Sequence, residues 1–406
     1  MPESLPNYAD LGLQLAWPLA IALAWMAGEL IFRWTALPRI AVYGLGGFVF
    51  GNLAAGYLPP SESKNFMLLA NLGFGLILFE LGYRINLRWL RSNPWIVATS
   101  VLEAVLTFAA VYLVAGMFGM ERLPAALTAS LAMSSSPAGL LRVLNEQGAA
   151  GQVTERAMHL TALNCVMAVF TFNVVVGIGV FQTSGDLAHA AGSSLLVLGA
   201  SSVLGALFGA LVPLWLRMIA VVRHTAHDTA RDATLAFALA VVLLVAVTTV
   251  LQFSPVLAAL TFGLVARHRR IALSPAQRNF GVLGDLLAVL MFFFVATKVE
   301  VEHLGGGIAL GLLLVIVRGL VKVGVCTAFA RASGISAKKG ALSGLALTPM
   351  AVFAILLMEQ TRWIGVDLFD SLAPLAAVML LLDVLGPILT QRAVVWADET
   401  RNTKEA

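Results

Sequence analysis

The chain has 406 residues, of which 59% are hydrophobic and only 12% charged, with a formal net charge of +4. A soluble domain carries about 25% charged residues, so a soluble enzyme is excluded, and so small an excess of positive charge is no signature of nucleic-acid binding. What fits is an all-α polytopic membrane protein. The alternating apolar pattern of a membrane β-barrel is absent.

Apolar runs of about 20 residues, the length that crosses a bilayer, recur from end to end. They predict thirteen spans at 12–32, 38–57, 65–83, 95–118, 123–143, 155–181, 193–216, 232–252, 254–267, 281–297, 306–330, 339–359 and 369–391. The segment Met1 to Asp10 has neither a basic n-region nor a small-residue cleavage site, so no signal peptide is expected. The ninth span is short enough to be a half-helix. Residues 392–406 read as a short, disordered tail, so 1–391 is one transmembrane domain.

Certain residues stand out along these spans. Glu29 closes the first, Glu80 sits near the end of the third, and Glu103 lies a third of the way into the fourth. The fifth contains Ser134-Ser135-Ser136-Pro137-Ala138-Gly139 and the twelfth Leu347-Thr348-Pro349-Met350. Proline removes a backbone donor and clashes with the preceding turn, so both read as helix breaks, with the Ser134, Ser135, Ser136 and Thr348 hydroxyls beside them. His159 opens the sixth span and Asn164-Cys165 lies inside it; Asn173 is a further candidate ligand. The eleventh holds Arg318 and Lys322 one turn apart, and the thirteenth holds Asp383. A charge at mid-membrane depth costs at least about 2.5–3.5 kcal/mol on insertion scales, so Lys322 needs a counter-charge, and Asp383 is the expected one. The two cysteines, Cys165 and Cys326, fall in apolar segments and read as packing residues. No metal site and no cofactor is expected.

The Lys/Arg split of the loops gives orientation. Of 26 basic residues, only Lys64, Arg122, Lys298 and Arg362 fall on one side, and Arg318 and Lys322 lie inside a span. The rest share the opposite loops and the tail, which puts the N-terminus outside and the C-terminus in the cytoplasm. Thirteen spans then divide into repeat one (about 12–181), a linker helix (193–216) and an inverted repeat two (about 232–391). Inverted six-helix repeats place a transport site where broken helices meet near mid-membrane, and the two breaks occupy matching positions.

With these residues in place, the chain resembles the cation:proton antiporter superfamily, nearest the branch of bacterial sodium/proton antiporters and Kef-type potassium efflux systems. Leu37-Pro38-Arg39-Ile40 through Gly46–Gly51 is similar to the family's second helix, and Leu78-Phe79-Glu80-Leu81-Gly82-Tyr83-Arg84 to its third. Ser134–Gly139 resembles its fifth-helix unwinding. Lys322, followed by Arg331, Gly334 and Gly344, matches the spacing after its membrane lysine. The resemblance implies monovalent cation and proton as substrates, membrane lipid as surroundings, a homodimer, and a bacterial inner membrane. It breaks at one place: where the family carries a sixth-helix acid, this chain has Asn164 followed by Cys165. A thiol of pKa about 8.5 is mostly neutral and supplies no counter-charge. The Arg-Gly-Glu after the twelfth-helix break is also replaced, by Met350-Ala351-Val352. The expected site is therefore Lys322, Asp383, Asn164, Cys165 and Arg318, with Ser134, Ser135, Ser136, Pro137, Thr348 and Pro349 at the breaks. The expected function is Na⁺ or K⁺ exchange for H⁺ by alternating access. The alternative is a same-fold carrier of an anion or organic solute. No enzymatic constellation is present.

Overall fold

The computed structural model describes residues 8–53, 63–181, 187–222, 226–269, 280–297, 304–350 and 373–400. Among them every regular element is a helix. The first half comprises α1 (Tyr8–Thr35), α2 (Arg39–Leu53), α3 (Ser63–Arg84), α4 (Leu87–Ser92), α5 (Pro94–Met117), α6 (Arg122–Ala132), α7 (Pro137–Glu146) and α8 (Gln152–Phe181). After α9 (Leu187–Val222) come α10 (Ala226–Val250), α11 (Pro255–His268), α12 (Gly281–Thr297), α13 (Leu304–Ala328), α14 (Ala337–Ala346) and α15 (Ala373–Trp396).

Six of these helices, α1, α5, α8, α9, α10 and α13, contain segments long and apolar enough to cross a membrane. Two shorter apolar helices, within α11 and α12, accompany them. Their starts are written locally. Proline opens α5, α7 and α11, where its missing N–H costs nothing, and Ser136 and Ser254 cap α7 and α11 by accepting from Gly139 N and Leu257 N. Leu195, Leu207, Leu211 and Trp215 of α9 are exposed. In a chain of this composition, such a surface faces lipid.

The interior divides into two apolar clusters. The larger gathers α5 to α8 with residues of α1 to α3 and of α11 to α15. The second joins α3, α10, α11 and α12 around Phe79, whose ring lies 4.8 Å from Phe262, 5.2 Å from Phe237 and 5.7 Å from Phe280.

Two features differ from the sequence reading. The short α4, amphipathic and capped by Asn86, is not anticipated. The segment from Arg392, expected to be disordered, continues as helix to Trp396 and then docks. The Glu399 carboxylate accepts from Val153 N and Thr154 N at 2.8 Å each and from Thr154 Oγ1 at 2.9 Å, and its carbonyl takes Ala150 N at 2.9 Å. It thus satisfies the orphan donors at the start of α8 from almost the other end of the chain. A hydropathy profile cannot show a hydrogen bond across such a separation.

Candidate functional site

The fifth predicted span is two helices. After the C-cap Met133 the chain leaves helical geometry at Ser134–Ser136 and resumes at Pro137. α14 ends at Ala346, and Leu347–Met350 is likewise non-helical; residues 351–372 lie outside the described residues. The two breaks touch. Ser136 N donates to Pro349 O at 2.8 Å, and Ser135 Oγ to Leu347 O at 3.1 Å. Glycines permit this approach: a Cβ on Gly386 of α15 would lie 2.6 Å from Pro349 Cα, and one on Gly344 of α14 would lie 2.6 Å from the Lys322 carbonyl.

α13 supplies two fully buried cations to the contact. Arg318 reaches backbone oxygens on both breaks. Its Nε donates to Ala132 O at 2.8 Å. Its Nη2 donates to Ser134 O at 2.5 Å, Pro349 O at 3.3 Å and Leu347 O at 3.4 Å, and its Nη1 donates to Thr348 O. These carbonyls lie where two helices end and carry partial negative charge; those of Leu347 and Pro349 also accept from Ser135 Oγ and Ser136 N.

Lys322, one turn on, points into a different set. Its Nζ lies 2.6 Å from Glu103 Oε1, 3.2 Å from Ser135 Oγ and 3.3 Å from Met133 O. Both side chains of the Lys322–Glu103 pair are 0% exposed. The second Glu103 oxygen accepts from Asn164 Nδ2 at 2.6 Å, and Thr107 Oγ1 donates to the first at 3.0 Å. Asn164 Oδ1 accepts from Ser100 at 2.8 Å. Cys165 Sγ lies 3.3 Å from the Ser135 carbonyl. A buried ion pair persists only when hydrogen bonds satisfy its remaining lone pairs and protons, and here they do.

The structure therefore gathers Lys322, Arg318, Asn164, Cys165 and the Ser134–Pro137 and Thr348–Pro349 breaks into one polar core. The carboxylate at hydrogen-bond distance from Lys322 is Glu103. Asp383 lies on α15, one turn from Gly386, and its side chain is outside the described residues. Sequence reasoning singled out Glu103 without placing it in the site. A signal for it existed. Thr99, Ser100, Glu103 and Thr107 form the buried stripe of α5, while Leu102, Val105 and Leu106 face out. A polar stripe at helical spacing inside a span marks the face turned to the protein.

Glu80, His159 and Glu29 are placed elsewhere. Glu80 pairs with Arg84 at 2.6 Å and accepts from Asn145 at 3.1 Å, which is a helix-end bracing network. His159 is buried between Asn86 N and the Glu155 carbonyl, with Trp89 at 4.5 Å, so it braces α4 on α8. At the far end of α7 a cavity of about 820 Å³ opens between α1, α2, α7 and α12. Its polar end holds Glu29 and Arg39 (2.8 Å apart), Glu146 (3.6 Å from Arg39) and the ion pair Arg142–Asp285. Among the described residues no cluster of His, Cys, Asp and Glu is able to hold a metal ion.

Two broken helices meeting around buried charges define a secondary transporter. The chain belongs to the sodium/hydrogen exchanger family: the profile described as "Sodium/hydrogen exchanger, transmembrane" matches residues 19–395. It is accordingly a transporter and not an enzyme, and its class of activity is cation:proton antiport. Two structures of the sodium proton antiporter MjNhaP1 from Methanocaldococcus jannaschii are similar to it. One, at pH 8, has a TM-score of 0.61 at 16% identity and covers 95% of this chain and 97% of that chain. The other, from an electron-microscopy map, has a TM-score of 0.66 at 16% identity, over 93% and 94%. At that identity the likeness is one of fold. No curated protein sequence matches the chain.

Proposed function

We propose that the chain exchanges Na⁺ or K⁺ for H⁺ by alternating access, with the Glu103–Lys322 pair as the exchange site. The observation that carries this reading is the 2.6 Å contact between two fully buried, oppositely charged side chains at the touching breaks. Glu103 supplies the fixed negative charge that Cys165 does not. Ser135 Oγ and Met133 O, both beside the Lys322 ammonium, are further hard oxygens, the ligand type that alkali cations take.

The exchange balances as follows. The cation binds the Glu103 carboxylate and displaces the Lys322 ammonium. Lys322, left without its partner in a dry interior, releases a proton, because an unpaired buried ammonium is costly. Net charge in the site is unchanged, so one proton leaves per cation bound and transport is electroneutral. The cavity between α1, α2, α7 and α12 is taken as the cytoplasmic vestibule. The two six-helix halves, about 12–181 and 232–391, are taken as inverted repeats, each giving one break. The protein is placed in a bacterial inner membrane, N-terminus out and C-terminus in, as a homodimer.

The test is proton flux in proteoliposomes with a pH-sensitive dye and Na⁺, K⁺ or Cl⁻ gradients. Cation-driven, voltage-insensitive proton movement supports the reading. Chloride-driven movement that is indifferent to Na⁺ and K⁺ favours the anion carrier.

A further inference from the structure

The cavity at the far end of α7 is larger than cation passage requires. It holds about 820 Å³, whereas a monovalent cation with its first water shell needs on the order of 200 Å³ at about 30 Å³ per water. Its side walls are α1 and α12. These helices meet where Trp17 packs on Phe293 and Phe294, with ring centroids 6.3 and 6.0 Å apart. From there the cavity lies between them toward Glu29 of α1 and Val282 of α12. Pro18, Ala22, Trp25 and Glu29 line it at helical spacing. The rise from Pro18 to Glu29 is about 16 Å at 1.5 Å per residue, the depth of one leaflet of a hydrocarbon core about 30 Å thick. The rim is apolar and open: Trp25 is 51%, Leu286 53% and Val282 85% exposed. In a chain that crosses the membrane, such a rim opens sideways to lipid.

The charged lining lies at one end and is of mixed sign. Arg39 and Arg142 are set among Glu29, Glu146 and Asp285. Glu146 Oε1 lies 3.6 Å from Arg39, but its Oε2 is buried with no hydrogen-bond partner among the described residues. A buried acceptor without a donor is costly.

We propose that this cavity is a side-entry site for a phospholipid whose headgroup carries a primary ammonium. The acyl chains lie along the apolar walls of α1 and α12. The phosphate pairs with Arg39 and Arg142, each of which has five donors to share. The ammonium donates to Glu146 Oε2 and faces Glu29 and Asp285. A headgroup of negative charge alone meets three carboxylates against two arginines, and a choline headgroup has no N–H for Glu146. The ion pairs Arg39–Glu146 and Arg142–Asp285 tie α7, which follows the first break, to α2 and α12. Lipid bound at this end therefore bears on the position of α7. Its binding does not depend on Glu103 carrying the exchange.

The test is lipid binding to the purified full chain in detergent, read by native mass spectrometry during titration with phosphatidylethanolamine, phosphatidylglycerol or phosphatidylcholine of identical chains. The wild type should hold one phosphatidylethanolamine per chain about tenfold more tightly than either of the others, the worth of one hydrogen bond to a charged group. Glu146→Gln removes the carboxylate and should lose most of that preference. Ala22→Trp and Leu286→Trp fill the cavity from its two walls and should weaken phosphatidylethanolamine to the level of the other two lipids. Both positions are exposed, so an unfolding temperature close to the wild type is expected; should one variant not fold, the other carries the test. Equal affinity for the three lipids in the wild type, a preference for phosphatidylglycerol, or an ethanolamine preference that survives the Trp variants overturns the proposal. Because the readout is binding rather than transport, it separates from any failure of the Glu103 reading.

Discussion

Glu103 of α5 and Lys322 of α13 meet at 2.6 Å with neither side chain reaching the surface. Asn164 of α8 holds the free carboxylate oxygen at 2.6 Å, and Ser135 of the first break lies 3.2 Å from the ammonium. Four elements therefore converge on one ion pair, and a change in its occupancy is felt by all of them.

Breaking this pair from one side strands a buried charge. Glu103→Gln and Lys322→Met are each expected to destabilise by about 3–5 kcal/mol. The double variant Glu103→Gln/Lys322→Met removes both charges and should recover most of that loss. Thermal unfolding of the three proteins in one detergent checks it; additive losses in the double variant would refute the coupling.

Cys165 is fully buried beside the Ser135 carbonyl, which places a side chain there within the same polar core. Cys165→Asp in the Glu103→Gln background supplies a new carboxylate and is expected to restore part of the cation-driven proton flux. Asp383→Asn with and without Cys165→Asp is the matching pair for the α15 acid. Dye-based flux in proteoliposomes reads both.

How much of this was legible in the sequence is instructive. The breaks were, because Pro137 and Pro349 act through local backbone chemistry that needs no knowledge of the fold. The partner of Lys322 was not. Glu103 lies far from it along the chain, and a span's hydropathy does not say which neighbour its polar stripe will meet. Internal symmetry points to Asp383, whose side chain lies outside the described residues; it identifies matching helices and not the side chains that touch. The docking of Glu399 on α8 is not legible, because a lone acid in a polar terminus has no local signature.

Glu146, beyond the end of the fifth predicted span, has its carboxyl pushed up to about 6 by burial, against an ordinary 4.5, despite Arg39 nearby. The folded protein thus holds this proton more tightly than the unfolded chain does. This shift costs nothing below about pH 4.5, where the carboxyl is protonated in both states, becomes increasingly unfavourable as pH rises between about 4.5 and 6, and keeps that full penalty above. Glu146→Gln should stabilise by up to about 2 kcal/mol at pH 7.5 and make no difference at pH 4. Unfolding midpoints across that range test the sign.

Glu399 satisfies three donors at the start of α8. Glu399→Ala is expected to cost about 1–3 kcal/mol, the penalty for leaving buried donors without partners. Faster amide hydrogen exchange at Val153 and Thr154 should accompany it, with α5 unaffected. An unchanged exchange rate there would show that water replaces the carboxylate without loss.

The split of basic residues between the two sets of loops puts the C-terminus inside. A reporter fused after Ala406 should give a cytoplasmic signal, and one placed between Gly185 and Ala191 an external one. The reverse pattern would invert the orientation of both halves.

The most direct test of the account is proton flux driven by a Na⁺ or K⁺ gradient in proteoliposomes of Glu103→Gln, compared with wild type and with Asp383→Asn at matched protein density. If Glu103 is the exchanging carboxylate, Glu103→Gln moves no protons in response to either cation while remaining folded enough to reconstitute. Cation-driven flux in Glu103→Gln equal to wild type, and abolished in Asp383→Asn, would contradict it and move the site to α15.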